Sequence, residues 1–331
     1  MKRIFLTGIS GFIGGQIAKE LLYSGYEVRA LVRDNFQALQ TAQGIEFVRG
    51  DICDYLSVEK GLSGCDAVIH TAGLYKFWVP KPKIIYETNI VGTRNILRAA
   101  ISHNVERIVY TSSVSTIKLY KDRRLADESL DADSEDLVGD YKRSKFQAEL
   151  VAREYASQGA PLIILNPTFP VGEGDVKPSP TGKVILDFLK KKIPAYVDTG
   201  INIVAIKDVA TAHVQALTHG RAGERYLIGN ANGNITFKEL LSILARISGL
   251  QKPGIRIPLW IASTLAYIDQ YMEGVIMKRH PRIPLEGTKH ASKFMWVNPS
   301  KAISELGLQQ HSVESALKEA VNWFLKNNYV R

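Results

Sequence analysis

Three glycines at a spacing of three, Gly8, Gly11 and Gly14, stand in the run Thr7-Gly8-Ile9-Ser10-Gly11-Phe12-Ile13-Gly14. The run follows the apolar segment Ile4–Leu6 and leads into an amphipathic stretch, Gly14–Ser24. Few local features limit a fold as much, because a strand must pass into a helix through a turn that excludes side chains. Gly8 permits the tight turn, Gly11 lets the backbone come close to a bound diphosphate, and Gly14 lets the helix pack on the strand. The N–H groups around Phe12 and Ile13 then point, with the positive end of the helix dipole, at whatever lies over the loop. A phosphate suits that position.

The rest of the first half repeats the alternation. Strand-like runs at Glu27–Val32, Ile45–Arg49, Ala67–His70, Arg107–Thr111 and Pro161–Leu165 are separated by helix-like stretches from about Phe36, over Asn89–His103 and over Gly139–Ser157. This pattern predicts a parallel sheet covered on both faces and joined by right-handed crossovers. The expected class is α/β, a Rossmann doubly wound parallel sheet with a smaller, mostly helical C-terminal substrate lobe. In the second half, Gly172–Gly182 is rich in Pro and Gly and reads as loop. Ile203–Ile206 and Tyr226–Ile228 read as further strands of the sheet. Thr236, with Glu239 three residues on, forms a capping box opening a helix over Phe237–Gly249, and Ser312–Asn327 reads as a final amphipathic helix. The dinucleotide-binding domain is thus expected over 1–168 and 203–229, and the substrate lobe over 169–202 and 230–331.

Composition narrows the function classes. The chain has 331 residues, 45% of them hydrophobic and 23% charged, which fits a large buried core and argues against bulk disorder. A net charge of +9 would suit nucleic acid, an anionic membrane face or a phosphorylated ligand. The cations are scattered, however, and the densest run, Lys190-Lys191-Lys192, has no aromatic interleaving, so nucleic acid is not an expected partner. Two cysteines, Cys53 and Cys65, make neither a disulfide framework nor a zinc site. A cytoplasmic location and no metal are expected. The start, Met1-Lys2-Arg3, runs straight into a strand without the apolar core of a signal peptide, and no 18-residue apolar run offers a membrane span. Ile255–Met277 comes nearest, interrupted by Asp269 and Glu273. A helix packed on the core is the expected reading, and a greasy lid or membrane-surface helix is the alternative.

At the end of the second strand an acid would bind the ribose 2′-hydroxyl of NAD, whereas an arginine accommodates the 2′-phosphate of NADP. Arg33 stands there, with Asp34 beside it, so NADP(H) is favoured and NAD(H) is the alternative. Tyr141-Lys142-Arg143-Ser144-Lys145 is a Y-x-x-x-K that places both end residues on one helix face. With 14 tyrosines in the chain such a spacing arises by chance about once, so its position matters more. It opens the helix after the strand ending Thr111-Ser112-Ser113, at the strand ends where sites of α/β proteins lie. A carbonyl that accepts hydride builds negative charge on oxygen, and a phenol can supply the proton or, in reverse, take one. Free tyrosine titrates near ~10; a neighbouring Lys145 cation favours the phenolate. A serine hydroxyl, Ser113 or alternatively Ser112, can polarise the carbonyl.

Together the segments TGISGFIGG, GDICD, HTAG, TNIVGT, TSSV, YKRSK and IKDVA resemble the extended short-chain dehydrogenases/reductases, in that family's order through two thirds of the chain. The resemblance implies that Thr7, Gly8, Gly11, Phe12, Ile13 and Gly14 hold the diphosphate. It also implies that Asp51 and Ile52 border the adenine and that Thr71, Ala72 and Gly73 line the diphosphate and ribose. Asn89 would support the sheet and a water relay, Ser112 would adjoin the cofactor, and Lys145 would also hold the nicotinamide ribose. Pro167 and Thr168 would lie beside the carboxamide. Over nearly the whole chain the sequence is similar to proteins grouped as hopanoid-associated sugar epimerases, in LYKFW, YKRSKFQAE, KPSPTGKVILDFL and PAYVDTGIN. Sugar-nucleotide members usually carry an Arg-Asp pair where this chain has Ile201-Asn202, and without that arginine a nucleotide diphosphate loses a strong charge-assisted contact. ALVRD and LNPTFPVG instead resemble dihydroflavonol reductase-like members.

The expected function is therefore NADP(H)-dependent interconversion of a ketone and an alcohol on a sizeable, partly apolar substrate, with a lipid or hopanoid-linked compound among the candidates. An NAD-dependent sugar or sugar-nucleotide epimerase is the alternative, and a cofactor-binding sensor without activity is a third reading. Tyr75, Phe77, Trp78, Phe169, Tyr196 and the Ile255–Met277 segment are candidate pocket residues, with core packing the competing role for each. A homodimer through the helices at Asn89–His103 and Tyr141–Ser157 is the family habit.

Overall fold

The computed structural model describes residues 2–33, 43–76, 79–277 and 291–330. Seven parallel strands form the main sheet: β1 (Arg3–Thr7), β2 (Glu27–Val32), β3 (Ile45–Arg49), β4 (Ala67–His70), β5 (Arg107–Thr111), β6 (Leu162–Pro167) and β10 (Arg225–Ile228). Their order is β10-β6-β5-β4-β1-β2-β3, so the chain reverses direction across the sheet between β1 and β4, where α/β sheets open a ligand crevice. Alternate residues of each strand enter opposite cores. Ile4 and Leu6 join one cluster and Phe5 the other, and Ile163 and Leu165 oppose Leu162 and Ile164. That two-sided burial is why these strands read as continuous apolar runs.

One face is covered by α1 (Phe12–Tyr23) and α7 (Ile206–His219), the other by α2 (Tyr55–Leu62), α4 (Gly92–Ser102) and α5 (Asp140–Ser157). The helix expected from Asn89 starts earlier, with α3 (Lys83–Tyr86), and passes through a π-helical turn, Glu87–Val91, before α4. Asn89 lies in that turn. The helix expected from about Phe36 lies outside the described residues.

The lobe has its own core. β7 (Phe169–Val171), β9 (Gly200–Ala205) and β11 (Asn234–Thr236) form a second sheet, with β9 central. The strand expected at Ile203–Ile206 thus belongs to this small sheet, not the main one. Its hydrogen bonds run to β7 and β11, and of its side chains Val204 reaches the main core, together with the helix that follows. α6 (Pro180–Leu189), α8 (Phe237–Ser248) and α11 (Val313–Lys326) pack on the small sheet, while α10 (Ser300–Leu306) packs on β10 and α7. The loop expected to reach Gly182 ends three residues sooner. Ser179 caps α6 by accepting from Gly182 N, and Pro180 occupies the first turn, where its missing N–H costs nothing. The capping box at Thr236 and Glu239 is present in both directions.

A two-stranded ribbon, β8 (Ala195–Tyr196) with β12 (Ile255–Arg256), leads into α9 (Leu259–Asp269), which continues as a π-helical turn, Gln270–Ile276. This segment does not pack on the core as expected: Ala266 is the one fully buried residue of α9, while Trp260 is 70% and Tyr267 66% exposed. Among the described residues no helix is long and apolar enough to cross a membrane.

Candidate active site

The glycine loop sits at the C-terminal ends of β1 and β4. Gly8 adopts φ +81°, and a Cβ there would lie 2.5 Å from Thr71 Oγ1 and 2.7 Å from Ala72 N. Gly14 is more constrained, since a Cβ would come within 2.2 Å of the Gly8 carbonyl oxygen. These two glycines fix the fold of the loop and the seating of α1. Gly11 is the helix N-cap, with no capping side chain and no acid in the first turn, so the N–H groups around Phe12 and Ile13 meet no competing carboxylate there. Backbone donors at a positive helix end, over a cradle that admits no Cβ, fit the diphosphate of a nicotinamide dinucleotide.

Other residues of the cradle are committed to holding it. Thr7 Oγ1 bonds His70 Nδ1 at 2.7 Å, and Thr71 Oγ1 donates to Thr7 O at 2.7 Å. His70 also meets Thr93 Oγ1 through Nε2 at 3.1 Å. Burial, with the Lys145 charge nearby, pulls its pKa down to about 3, so it is a neutral strut. Asp51 Oδ1 accepts from Cys53 N at 2.9 Å, and Ile52 is buried against Gly92. Arg33 is exposed just past β2, and its charge reaches the Cys53 thiol, which burial and Asp51 push up to about 11. Arg33 and Asp51 therefore share one rim of the crevice. Asn89 Oδ1 accepts from Leu74 N at 2.7 Å, and its Nδ2 donates to Ser144 Oγ at 2.8 Å. It ties the segment carrying Ala72 and Gly73 to α5.

The catalytic candidates meet where β5 faces α5. The two serines differ. Ser112 is buried and donates its hydroxyl to Glu149. Ser113 is half-buried and extended, and its Oγ accepts from Ser115 N at 3.1 Å and Ser115 Oγ at 2.9 Å. With both acceptor positions filled, the Ser113 hydroxyl hydrogen is left to point elsewhere. α5 starts after Gly139 at φ +86°, pinned by Tyr86 OH donating to Asp140 Oδ1 at 2.9 Å. The Tyr141 ring lies against that of Tyr75, tilted by 34°, with centroids 4.5 Å apart. One turn on, Lys145 Nζ donates to Tyr110 OH at 3.1 Å and to Thr111 O at 2.7 Å, which leaves one of three ammonium donors. Burial lowers its pKa to about 8, against an opposing pull from Glu149.

Glu149 was not singled out from the sequence. It accepts from Thr116 Oγ1 at 2.7 Å, Asn166 Nδ2 at 2.8 Å and Arg225 Nη1 at 3.0 Å besides Ser112. Asn166 Nδ2 also donates to the Ser113 carbonyl at 3.1 Å, and the Thr116 hydroxyl lies 2.8 Å from the same oxygen. The carboxylate thus fixes the backbone that carries Ser113. Ser115 and Tyr110 were missed too. Only Glu149 had a local signal, its i,i+4 spacing from Lys145.

Pro167 is buried at the end of β6, and Thr168 Oγ1 donates to Asn202 Oδ1 at 3.0 Å. Ile201 and Asn202, where a sugar-nucleotide enzyme's Arg-Asp pair would stand, are buried in the small sheet, with Asn202 Nδ2 donating to Asn230 O and Asn234 Oδ1 at 2.8 Å each. Phe169 and Tyr196 are half-buried against the lobe core. Asp34, Phe77 and Trp78 lie outside the described residues. A cavity of about 240 Å³ opens beside Ser115, with Ile117, Leu119 and Val138 on one side and Asp136, Lys142 and Lys293 on another.

With this geometry in place, comparison with known proteins is informative. The sequence profile of the NAD dependent epimerase/dehydratase family matches residues 4–229. The chain is 40% identical to a Synechocystis sp. protein provisionally named dihydroflavonol 4-reductase, over 99% of this chain and 96% of that one. It is 28% identical to sterol demethylase protein B of Methylococcus capsulatus, over 98% and 99%. The crystal structure of gox2253 superposes with a TM-score of 0.87 at 33% identity, covering both chains in full. The chain belongs to the NAD dependent epimerase/dehydratase family, within the extended short-chain dehydrogenases/reductases, and is an oxidoreductase of that kind.

Proposed function

We propose that the protein is an NADP(H)-dependent oxidoreductase interconverting a ketone and an alcohol on a sizeable, partly apolar substrate. The observation that carries this reading is the state of Ser113. Its oxygen is saturated by two donors from Ser115, so its own O–H serves only as a donor. A hydroxyl left free to donate, just past the strand that faces α5, suits a carbonyl gaining negative charge. The bound nicotinamide would supply or accept the hydride. Tyr141 gives the proton to the carbonyl oxygen in reduction and takes it from the alcohol in oxidation. The remaining ammonium donor of Lys145 favours the Tyr141 phenolate and serves the nicotinamide ribose. Tyr75, lying over Tyr141, shapes the apolar side of the substrate site.

Two features support reduction of a ketone over turnover of a sugar nucleotide. No cation occupies Ile201 or Asn202, and both are packed inside the small sheet, out of reach of a diphosphate. The relatives named for dihydroflavonol reduction and sterol demethylation carry a flavonoid and a sterol in their names, not a sugar nucleotide. Arg33, exposed on the same rim of the crevice as Asp51, favours a 2′-phosphate. A homodimer through the outer faces of α4 and α5, where Ile101 and Leu150 are exposed, belongs to the same reading.

The test is a titration followed by turnover. NADPH should bind about 10–100-fold more tightly than NADH, the worth of one charged hydrogen bond, and Arg33→Ala should erase the difference. Purified protein should consume NADPH with apolar ketones, and Tyr141→Phe should abolish turnover while sparing cofactor binding. Equal affinities for the two cofactors in the unmutated protein refute the NADP assignment. Protein that retains tightly bound NAD and turns over without consuming added cofactor refutes the reductase reading in favour of an epimerase.

A further inference from the structure

The outer surface of α9 reverses the usual arrangement of a helix in water. Trp260, Thr264, Tyr267, Ile268, Tyr271 and Met272 recur at i, i+4, i+7, i+8, i+11 and i+12, which places them on one stripe. The stripe faces outward: Trp260 is 70%, Ile268 54% and Tyr271 56% exposed. Leu265, Ile276 and Met277 widen it. The side toward the protein carries fully buried Ala266 and the half-buried Asp269, Gln270 and Glu273. Scattered exposed apolar residues need no explanation, but a contiguous stripe marks a contact surface.

The base of this helix is basic. Ile255 and Arg256 are exposed on the ribbon that leads into it, with Arg256 paired to Asp198 at 3.1 Å, so the excess of charge comes from the lysines. Beside the ribbon a cavity of about 480 Å³ is lined by Lys191 and Lys252 together with Phe188, Ile193, Leu250 and Pro253, and by no acid. Lys190 and Lys192 are exposed next to it, and the whole chain carries +9. Aromatic rings that mix apolar bodies with polar tips, flanked by lysines, are the side chains that settle at a bilayer's headgroup level. A second copy of this chain is a poorer occupant. A two-fold contact would set the same lysine-rich patch against itself, and like charges would face each other.

We infer that this face of the lobe docks on an anionic lipid bilayer, with α9 lying in the plane of the interface. The contact is peripheral: the apolar stripe enters the headgroup boundary, and the lysines around the neighbouring cavity meet lipid phosphates. The inference does not rest on the reaction the site performs.

The experiment is vesicle flotation of the full chain with phosphatidylcholine alone and with phosphatidylcholine containing a quarter phosphatidylglycerol. Binding should appear on the anionic vesicles, fall steeply as salt rises, and be at least tenfold weaker on neutral ones. Trp260 emission should shift to the blue on binding, and Trp260→Phe should remove the shift. Lys191→Glu/Lys252→Glu should weaken binding at least fivefold for each lysine. Tyr267→Ser/Ile268→Ser should weaken it at least tenfold with an unchanged circular dichroism spectrum. Absence of binding to the anionic vesicles overturns the inference. So does equal binding by the variants, or a solution dimer that Tyr267→Ser/Ile268→Ser dissolves.

Discussion

Replacing Lys145 by methionine separates the chemistry of this residue from its cost to the fold. The Lys145 ammonium is buried, and its pKa falls from 10.5 to about 8. At ~1.36 kcal/mol per pKa unit, keeping it charged costs the folded state roughly 3 kcal/mol at neutral pH. Below pH 8 the lysine is protonated in both states and the full penalty applies. Between pH 8 and 10.5 the unfolded chain still binds the proton while the folded chain has released it, so stability rises with pH and the penalty fades. Methionine is of similar length and carries no charge, so it has no such dependence. Urea unfolding of both proteins at pH 7, 8, 9 and 10 should therefore show the stability of the native protein gaining roughly 2–3 kcal/mol on Lys145→Met across that range. Loss of the bonds to Tyr110 and Thr111 displaces the variant's curve as a whole and does not alter this slope. The variant should be inactive, and kcat/KM of the native enzyme should decline on the alkaline side near pH 8. Stability differences that stay constant to within ~0.5 kcal/mol from pH 7 to 10 would show that Lys145 is not a buried cation.

Gly14→Ala should push α1 off the loop, since its Cβ would meet the Gly8 carbonyl oxygen at 2.2 Å; cofactor affinity should fall more than tenfold by fluorescence titration, and unchanged affinity would remove the cradle from the site. Glu149→Gln withdraws the charge that opposes the depression of the Lys145 pKa, so the alkaline limb of kcat/KM should move to lower pH; an unmoved limb would limit Glu149 to structural support. His70 and His213, with pKa values lowered by burial to about 3 and about 4, are neutral in the fold and protonate on unfolding below pH 6.5. Stability should drop as pH falls from 6 to 4.5, and His70→Gln should reduce that slope by ~1.4 kcal/mol per pH unit, measured by urea midpoints.

Much of the sheet was legible because its strands are short apolar runs bounded by polar residues. Glu27–Val32, Ile45–Arg49, Ala67–His70 and Arg107–Thr111 have the bounds read from the sequence. Helix ends with side-chain caps, at Thr236 and Ser312, were legible for the same local reason. Pro180–Leu189 was hidden by its proline and glycine content, although Ser179-Pro180 is a helix-start signature. The membership of β9 in a second sheet depends on pairing with β7 and β11, which period and propensity do not encode. At the site, the glycine loop, Ser113, Tyr141 and Lys145 are read from short spacings. Ser115, Tyr110 and Glu149 are not, because their importance lies in which distant atoms they touch: Glu149 meets residues 112, 116, 166 and 225. The outward face of α9 escaped for the opposite reason. Its apolar composition suggests a core, and only the structure shows which side of the helix meets the protein.

The Glu149 cluster also orders events in time. The cradle for the diphosphate is built from β1, α1 and β4, all complete within the first 73 residues of the chain. The serine that would polarise the substrate carbonyl is anchored through Glu149 to Arg225, which also holds Asp131 at 2.6 Å and the Glu128 carbonyl at 2.8 Å. A nascent chain growing from its N-terminus can therefore shape the nucleotide cradle some 150 residues before it can set Ser113. The last strand of the sheet acts as a latch: until β10 is synthesised and seated, the half-made protein has a place for a cofactor but no positioned donor with which to use it.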